Sequence, residues 1–365
     1  MKNIALVIDS LTGGGAEKVM LNLAKSMVEL GNKVTLLSLS HRCDYILPDN
    51  IDVHYLFQGK ASKVDRFWSI GKSLKALEHW FDDVQSINGQ FDLIFSNLNK
   101  SNNLLANSKL KNNKKLFFII HNSIEEELIR QKKLGPFAYY YLVKSKALLS
   151  GKQLITVSFG IEKEISNGSR IQAASIQTIY NPFDFDEIQS LSIIENQDIP
   201  DDDYIIHVGR FARQKRHDVL FAAFKLLAGH YQLVLLCNNP KKALKLAEKY
   251  GITERLILPG FQSNPYNWIR KAKVLVLSSD YEGFGNVLVE ALSVGTKVVS
   301  TRCPHGPDEI LTGELERFLV PRRNDKALVN TIKRALETDV NCLEAQILQQ
   351  VSAIKVAKQY LALCR

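Results

Sequence analysis

The feature that most constrains this chain is an alternation of short, near-continuous apolar runs with longer stretches of helical periodicity, which starts, breaks off and starts again. "NIALVID" (Asn3–Asp9) ends in a glycine-rich turn, "AEKVMLNLAKSMVEL" (Ala16–Leu30) spaces its apolar residues as a helix does, and "KVTLLSLS" (Lys33–Ser40) is strand-like. Together they make a βαβ unit. The rhythm continues through "FDLIFSN", "KLFFIIHN" and "QLITVS", breaks at "ENQDIPDDDY" (Glu195–Tyr204), and resumes with "YIIHVGR", "YQLVLLCN", "RLILPG", "KVLVLSS" and "TKVVST". Strands that are apolar along their whole length belong to parallel sheets covered by helices on both faces. A chain of 365 residues exceeds the usual size of one core, so two such series predict an α/β protein of two Rossmann-like domains.

Composition narrows the function classes. Hydrophobic content of 45% with 23% charged residues excludes a disordered chain. The five cysteines (Cys43, Cys237, Cys303, Cys342, Cys364) lack metal-ligand or CxxC spacing, and are expected to be reduced thiols in a cytoplasmic protein. The first apolar run is too short for a signal peptide, and no run reaches 18 apolar residues, so no membrane-spanning segment is expected. The net charge of +9 is uneven: residues 1–182 hold 23 Lys and Arg against 16 Asp and Glu, the remainder 24 against 22. The excess clusters beside aromatics. Lys60, Lys63, Arg66, Phe67, Trp68, Lys72 and Lys75 form one group, and Lys109, Lys111, Lys114 and Lys115 a second. Arg130, Lys132, Lys133, Tyr139, Tyr140, Tyr141, Lys144 and Lys146 form a third. Such clusters are either solvated helix faces or a surface that docks on anionic lipid. No helix-turn-helix, RNP-type or zinc-finger pattern supports nucleic acid as a partner.

Ligands of open α/β sheets bind beyond the carboxyl ends of the strands, so the residues just after each strand are the first candidates. "SLTGGGAEK" (Ser10–Lys18) carries Gly13, Gly14 and Gly15, which allow close backbone approach, and Ala16 opens a helix whose N–H groups point at a ligand. A plain tight turn explains it equally. His121 ends the "KLFFII" strand before Asn122 and Ser123 open a helix; it is a site residue or a satisfied polar one. "HVGRFARQKRHDVL" (His207–Leu220) sets Gly209, Arg210 and Lys215 around a turn, and two cations at a strand end fit a diphosphate as well as they fit open solvent. In "SSDYEGFGNVLVEALSVG" (Ser278–Gly295), Glu282 precedes a Gly-x-Gly bend and Glu290 lies two turns inside the apolar run. Residues eight apart point roughly the same way on a helix, and a helix start near Gly285 favours an anion. A nucleotide site fits that pattern; a capping carboxylate and a half-exposed helix residue also fit. Asp201–Asp203 precede a strand rather than follow one, which makes them solvating linker residues and no metal pair.

Taken in order, "GGGAEK", strand-end His121, "YNPFD" (Tyr180–Asp184), "VGRFARQKRHD", "LPGFQSNPYNWIRKAKVLVLSSDYEGFGNVLVEALSVGTKVVST", "CPHGPDEIL" and "LVPRRND" resemble the GT-B glycosyltransferases, specifically the retaining enzymes of glycosyltransferase family 4. The hallmark is the pair of glutamates separated by seven residues; the first half matches by fold and glycine loop. The resemblance implies two Rossmann-like domains whose parallel sheets face a central cleft. Residues 1–181 would bind acceptor and 182–344 the nucleotide-sugar. A C-terminal helix (345–365) with the apolar stripe Ile347, Val351, Ile354, Ala357 and Leu361 would cross back onto the first domain.

The implied reaction moves a hexose or N-acetylhexosamine from a nucleotide-sugar to a glycan or lipid-linked acceptor with retention, without metal or cofactor. By this likeness Glu290 holds the ribose hydroxyls, since a carboxylate can accept from two O–H donors, and Glu282 the hydroxyls of the transferred sugar. The segment Gly283, Phe284, Gly285, Asn286 and Val287, with Gly209, Arg210 and Lys215, cradles the diphosphate, where fixed cations and amides favour the charge that develops on departure. Phe261 lies against the base, His121 beside the sugar's C6 hydroxyl, and Gly13–Gly15 on the acceptor side.

"GELERFLVP" (Gly313–Pro321) lacks a glycine that relatives often carry there. "CPHGPDEIL" resembles bacterial surface-polysaccharide and lipopolysaccharide enzymes that use UDP-sugars, favouring UDP over GDP-mannose. A lipid-linked acceptor at the inner face of the cell membrane suits the basic first half. The competing readings are a GT-B epimerase or phosphorylase, the latter normally a longer chain with lysine-bound pyridoxal phosphate, and a non-catalytic nucleotide-sugar-binding protein.

Overall fold

The computed structural model describes residues 1–59, 64, 69–132, 135–168 and 170–364. Lys60, Lys63, Arg66, Phe67, Trp68 and Lys133 of the basic clusters lie outside these. The chain forms two units: Met1–Phe183 with the tail from Val351 onward, and Asp184–Gln350.

The first unit is built on a seven-stranded sheet of β1 (Asn3–Ile8), β2 (Lys33–Ser38), β3 (Asp52–Tyr55), β4 (Leu93–Asn97), β5 (Leu116–Ile120), β6 (Gln153–Thr156) and β7 (Ser175–Thr178). Its order is β3-β2-β1-β4-β5-β6-β7, with every neighbour parallel. The central strands are buried along their length, as their apolar runs require. The second unit holds a six-stranded sheet in the order β10-β9-β8-β11-β12-β13. Its strands are β8 (Tyr204–Val208), β9 (Gln232–Leu236), β10 (Leu256–Gly260), β11 (Val274–Leu277), β12 (Lys297–Thr301) and β13 (Leu319–Val320). The expected parallel α/β architecture is present in both units.

In each sheet the strand order reverses once, between β1 and β4 in the first and between β8 and β11 in the second. Loops leaving such a pair part in opposite directions and open a crevice at the carboxyl edge. The glycine loop follows β1, the Gly209–Arg216 turn follows β8, and the Ser278–Gly285 segment follows β11. Topology therefore places these three segments at their units' crevices, whereas His121 follows β5 and Phe261 the edge strand β10, outside the two reversing pairs.

Two expectations about the C-terminus need correction. The helix expected from residue 345 is Ala353–Leu361; residues 342–344 and 346–349 are 3-10 turns of the second unit, where Ile347 is buried. The buried stripe is Ala353, Val356, Ala357 and Tyr360, while Ile354 is exposed. The stripe read from the sequence joined residues of two different elements at a spacing that imitates one helix. The helix packs on Gly15–Glu29, and Tyr360 meets Phe95 edge-on with ring centroids 5.1 Å apart. Phe183 and Ala353 exchange backbone bonds with Val351 and Phe183 at 2.9 Å, fastening the tail to the first unit. The unit boundaries fall at Phe183/Asp184 and Gln350/Val351, a few residues beyond the expected ones.

Candidate active site

The turn after β8 and the segment after β11 meet through an ion pair. Lys215 closes the 3-10 turn Arg213–Lys215, and its Nζ lies 2.7 Å from Glu282 Oε1, the two side chains being 16% and 10% exposed. The Ser279 hydroxyl donates to the same carboxylate oxygen, and Ser278 Oγ donates to the Lys215 carbonyl at 2.7 Å. The Lys215 stem runs over Gly209: a Cβ built there would sit 3.2 Å from Lys215 Cε. A residue without a side chain at 209 thus leaves the cation room to reach its partner. A pair this covered is weak as a net source of stability, yet removing one member strands a buried charge at about 3–5 kcal/mol.

Beyond Glu282 the chain is held by the segment after β12. The Glu282 amide donates to the Pro304 carbonyl at 2.6 Å, and the His305 amide returns a bond to the Glu282 carbonyl at 3.1 Å. Gly306, at φ +98°, lies so close that an added Cβ would stand 1.9 Å from the Phe284 carbonyl oxygen. Gly283, Phe284 and Gly285 are buried, and Gly285, left-handed at φ +99°, opens the helix Asn286–Ser293. Asn286 and Val287, in its first turn, are half-buried. Glu290 is half-buried and accepts from the Tyr266 hydroxyl at 3.5 Å. Arg210 is exposed, and Phe261, just after β10, is 63% exposed. The second unit therefore brings the Lys215–Glu282 pair and a helix start together after β8 and β11, an arrangement suited to a phosphorylated, hydroxyl-rich ligand, while Arg210 lies exposed on the first of these turns, Glu290 on the helix beyond, and Phe261 after the edge strand β10.

Beneath Lys215 sits a buried histidine pair that no spacing in the sequence announces. His207 and His217 meet edge-to-face with ring centroids 4.9 Å apart, and His207 Nδ1 bonds the Val276 carbonyl at 2.8 Å. Burial, then His217 and Lys215, holds His207 well below the ordinary imidazole range; burial, then Lys215, lowers His217 to about 4. Both rings are neutral at pH 7, which leaves the positive charge of this turn to Lys215 and the arginines around it. Ser279 and Tyr266 also escaped sequence reasoning. A serine beside an aspartate and a tyrosine after a proline carry no periodic signal, and only the fold aims them at glutamates.

In the first unit His121 is half-buried, its Nε2 is covered and has no partner among the described residues, and burial lowers its pKa to about 4. The glycine loop departs from expectation. Its helix opens at Gly15 rather than Ala16, the Gly13 amide donates to Asp44 at 2.9 Å, and the Gly14 amide donates to the Tyr45 hydroxyl at 3.0 Å. These two amides are occupied by the loop after β2, a long-range contact no local pattern reveals. Some basic-cluster residues are likewise engaged within the protein. Lys109 pairs with Asp82 at 2.5 Å and Lys115 Nζ donates to the Phe91 carbonyl at 3.1 Å. Lys146 is buried against Glu127 at 2.9 Å. Exposed cations and apolar residues remain on Ile124–Lys132 and Pro136–Ala147: Ile129, Arg130, Lys132, Phe137, Tyr140, Tyr141 and Lys144.

Comparison with known proteins follows the two-unit division. The family described as Glycosyltransferase Family 4 matches residues 13–187, and the one described as Glycosyl transferases group 1 matches residues 191–349. The chain is 26% identical over 344 residues (93% of it, 91% of the relative) to the N-acetylgalactosamine-N,N'-diacetylbacillosaminyl-diphospho-undecaprenol 4-alpha-N-acetylgalactosaminyltransferase of Campylobacter jejuni. It is 30% identical over 173 residues (44% of it, 47% of the relative) to the lipopolysaccharide 1,6-galactosyltransferase of Salmonella typhimurium. Among solved structures it superposes on Anabaena HepE in complex with UDP and glucose with a TM-score of 0.75 at 18% identity, covering 99% of each chain. It also superposes on the apo lipopolysaccharide outer core galactosyltransferase WaaB with a TM-score of 0.70 at 19% identity, covering 99% and 98%. The chain belongs to the GT-B glycosyltransferases, as a family 4 domain followed by a group 1 transferase domain.

Proposed function

We propose that this transferase takes a hexosyl or N-acetylhexosaminyl group from a UDP-sugar and delivers it, with retention and without a metal ion, to a lipid-linked or lipopolysaccharide acceptor. The observation that carries the reading is the Lys215–Glu282 pair lodged over Gly209 beside a helix start. In this reading Glu282 receives sugar hydroxyls, while Lys215, Arg210 and the amides of Phe284–Val287 take the diphosphate. The charge that grows on the leaving diphosphate meets donors already in place, so they favour the transition state over the ground state. Glu290 holds the ribose and Phe261 the base. UDP as the nucleotide is supported by the HepE complex, and a polyprenyl-diphosphate acceptor by the name of the Campylobacter relative.

We place the approach to that acceptor on the exposed face of Ile124–Lys132 and Pro136–Ala147, where Arg130, Lys132 and Lys144 lie among Ile129, Phe137, Tyr140 and Tyr141. Cations attract anionic headgroups and the rings suit the lipid interface. The test of the function is a panel of UDP- and GDP-sugars incubated with an undecaprenyl-diphosphate-linked glycan and with lipopolysaccharide core, in the presence of EDTA. Released nucleotide and the anomeric configuration of the product are followed. Release of UDP with retained configuration is expected. Turnover of GDP-sugars only, an inverted product or complete loss in EDTA contradicts the corresponding part.

A further inference from the structure

Three non-glycine residues among those described have positive φ: Leu98, Arg216 and Arg323. Two are arginines, at +48° and +58°, and both bring their guanidinium groups to one carboxylate, Asp280. Left-handed backbone is disfavoured for any residue with a Cβ, so each turn persists only because its surroundings hold it. Arg323 makes a two-pronged pair with Asp280, Nε to Oδ1 at 2.8 Å and Nη2 to Oδ2 at 3.0 Å. Arg216 reaches Oδ2 of the same carboxylate at 3.3 Å while gripping Asp218 with Nε at 2.9 Å and Nη2 at 2.7 Å. The backbone of Asp280 is engaged as well. Its amide donates to the Gln214 carbonyl at 2.8 Å, and its carbonyl accepts from Arg322 Nη1 at 2.7 Å. Gln214 Nε2 closes the stitch on the Tyr281 carbonyl at 2.7 Å.

Asp280 is 15% exposed and stands where three loops converge: the turn carrying Lys215, the segment carrying Glu282, and the Pro321–Asn324 loop after β13. Arg216 directly follows Lys215, and Glu282 is two residues past Asp280. We infer that Asp280 is a positioning residue: its carboxylate holds both arginine turns in their left-handed conformation and so fixes Lys215 against Glu282 and the donor's diphosphate. The inference rests on the proposed role of Lys215 and Glu282, and assigns a function to three charged side chains that the transfer chemistry itself does not use.

A double-mutant cycle read by two methods tests it. Asp280→Asn and Asp280→Glu are made in the natural chain and in an Arg216→Gly/Arg323→Gly background, where glycine adopts the left-handed turns unaided. Calorimetric titration with UDP is expected to show Asp280→Asn weakening binding about five- to twentyfold in the natural chain. Asp280→Glu should recover part of that, and Asp280→Asn should change affinity less than about twofold in the glycine background. Equal weakening in both backgrounds, or none in the natural chain, overturns the inference. If the natural chain does not bind UDP, the nucleotide reading fails on its own, and thermal midpoints then decide the clamp. Asp280→Asn should lower the midpoint by about 4 °C in the natural chain and much less in the glycine background. Equal shifts refute it.

Discussion

Lys215 and Glu282 form one ionic unit at 2.7 Å, so a variant of either exposes the other, and the proposed roles separate only in kinetics. Lys215→Ala and Arg210→Ala should lower kcat by roughly 10²- to 10³-fold each while the donor KM moves far less, because contacts that strengthen as charge develops act on the transition state. Glu290→Ala should raise the donor KM with kcat little changed, since a ribose contact is the same before and during transfer. Steady-state kinetics with the preferred donor checks both; a Lys215→Ala enzyme whose loss lies wholly in KM would reverse the assignment. At this scale the turns that carry Lys215, Glu282 and His121 were legible as candidates, because unusual residues stood just after apolar strands; that Lys215 and Glu282 pair with each other was not. Asp280, Ser279 and Tyr266 were not: their importance comes from what lies across the sheet, and Asp280 reads locally as one more acidic loop residue.

The elements that position the site are short, and two glycines decide their geometry. Gly285 opens the helix Asn286–Ser293 in a left-handed turn, and Gly306 lets the segment after β12 touch the Phe284 carbonyl. Gly306→Ala forces a Cβ to within 1.9 Å of that oxygen at φ +98°, and should destabilise the protein by at least ~2 kcal/mol, displacing Phe284 as it relaxes. Chemical denaturation gives the first effect and UDP titration the second; a Gly306→Ala variant with unchanged midpoint and affinity would show that the contact is dispensable. The strands with buried apolar runs were read correctly from residue order. The edge strands β3 and β7, half-exposed and only four residues long, were not, because an edge strand draws its pairing from a neighbour rather than from its own apolar pattern. The C-terminal helix was foreseen, but its start and buried face were displaced by a 3-10 segment that mimics its period.

Across the whole molecule, buried imidazoles link stability to pH. His121 and His217 are lowered to about 4, and His207 falls well below its ordinary range, all chiefly through burial. The unfolded chain binds these protons near pH 6.5 and the folded one does not. Their contribution is therefore complete above about pH 6.5 and is lost progressively as pH falls toward 4, by about 3 kcal/mol for His217. Thermal midpoints between pH 7.5 and 4.5 should fall with decreasing pH, and His217→Gln should flatten part of that slope; an unaltered slope would show that the ring titrates normally. Among the described residues no helix is long and apolar enough to cross a membrane. The proposed lipid approach is placed on the exposed face around Phe137 and Lys144. Binding to anionic vesicles should fall as salt rises above about 0.1 M, where screening shortens to about 10 Å, and Lys132→Ala/Lys144→Ala should weaken it; equal binding to neutral vesicles at low salt would remove the electrostatic part. The central claim, that UDP docks where Lys215 meets Glu282, is tested most directly by calorimetric titration of UDP into the natural protein and its Lys215→Ala variant. Saturable one-to-one binding is expected, and Lys215→Ala should weaken it by about 10- to 100-fold, because free UDP already carries on its terminal phosphate the charge that in the donor develops only as the sugar departs. Absence of UDP binding, or an affinity that Lys215→Ala leaves unchanged, would contradict it.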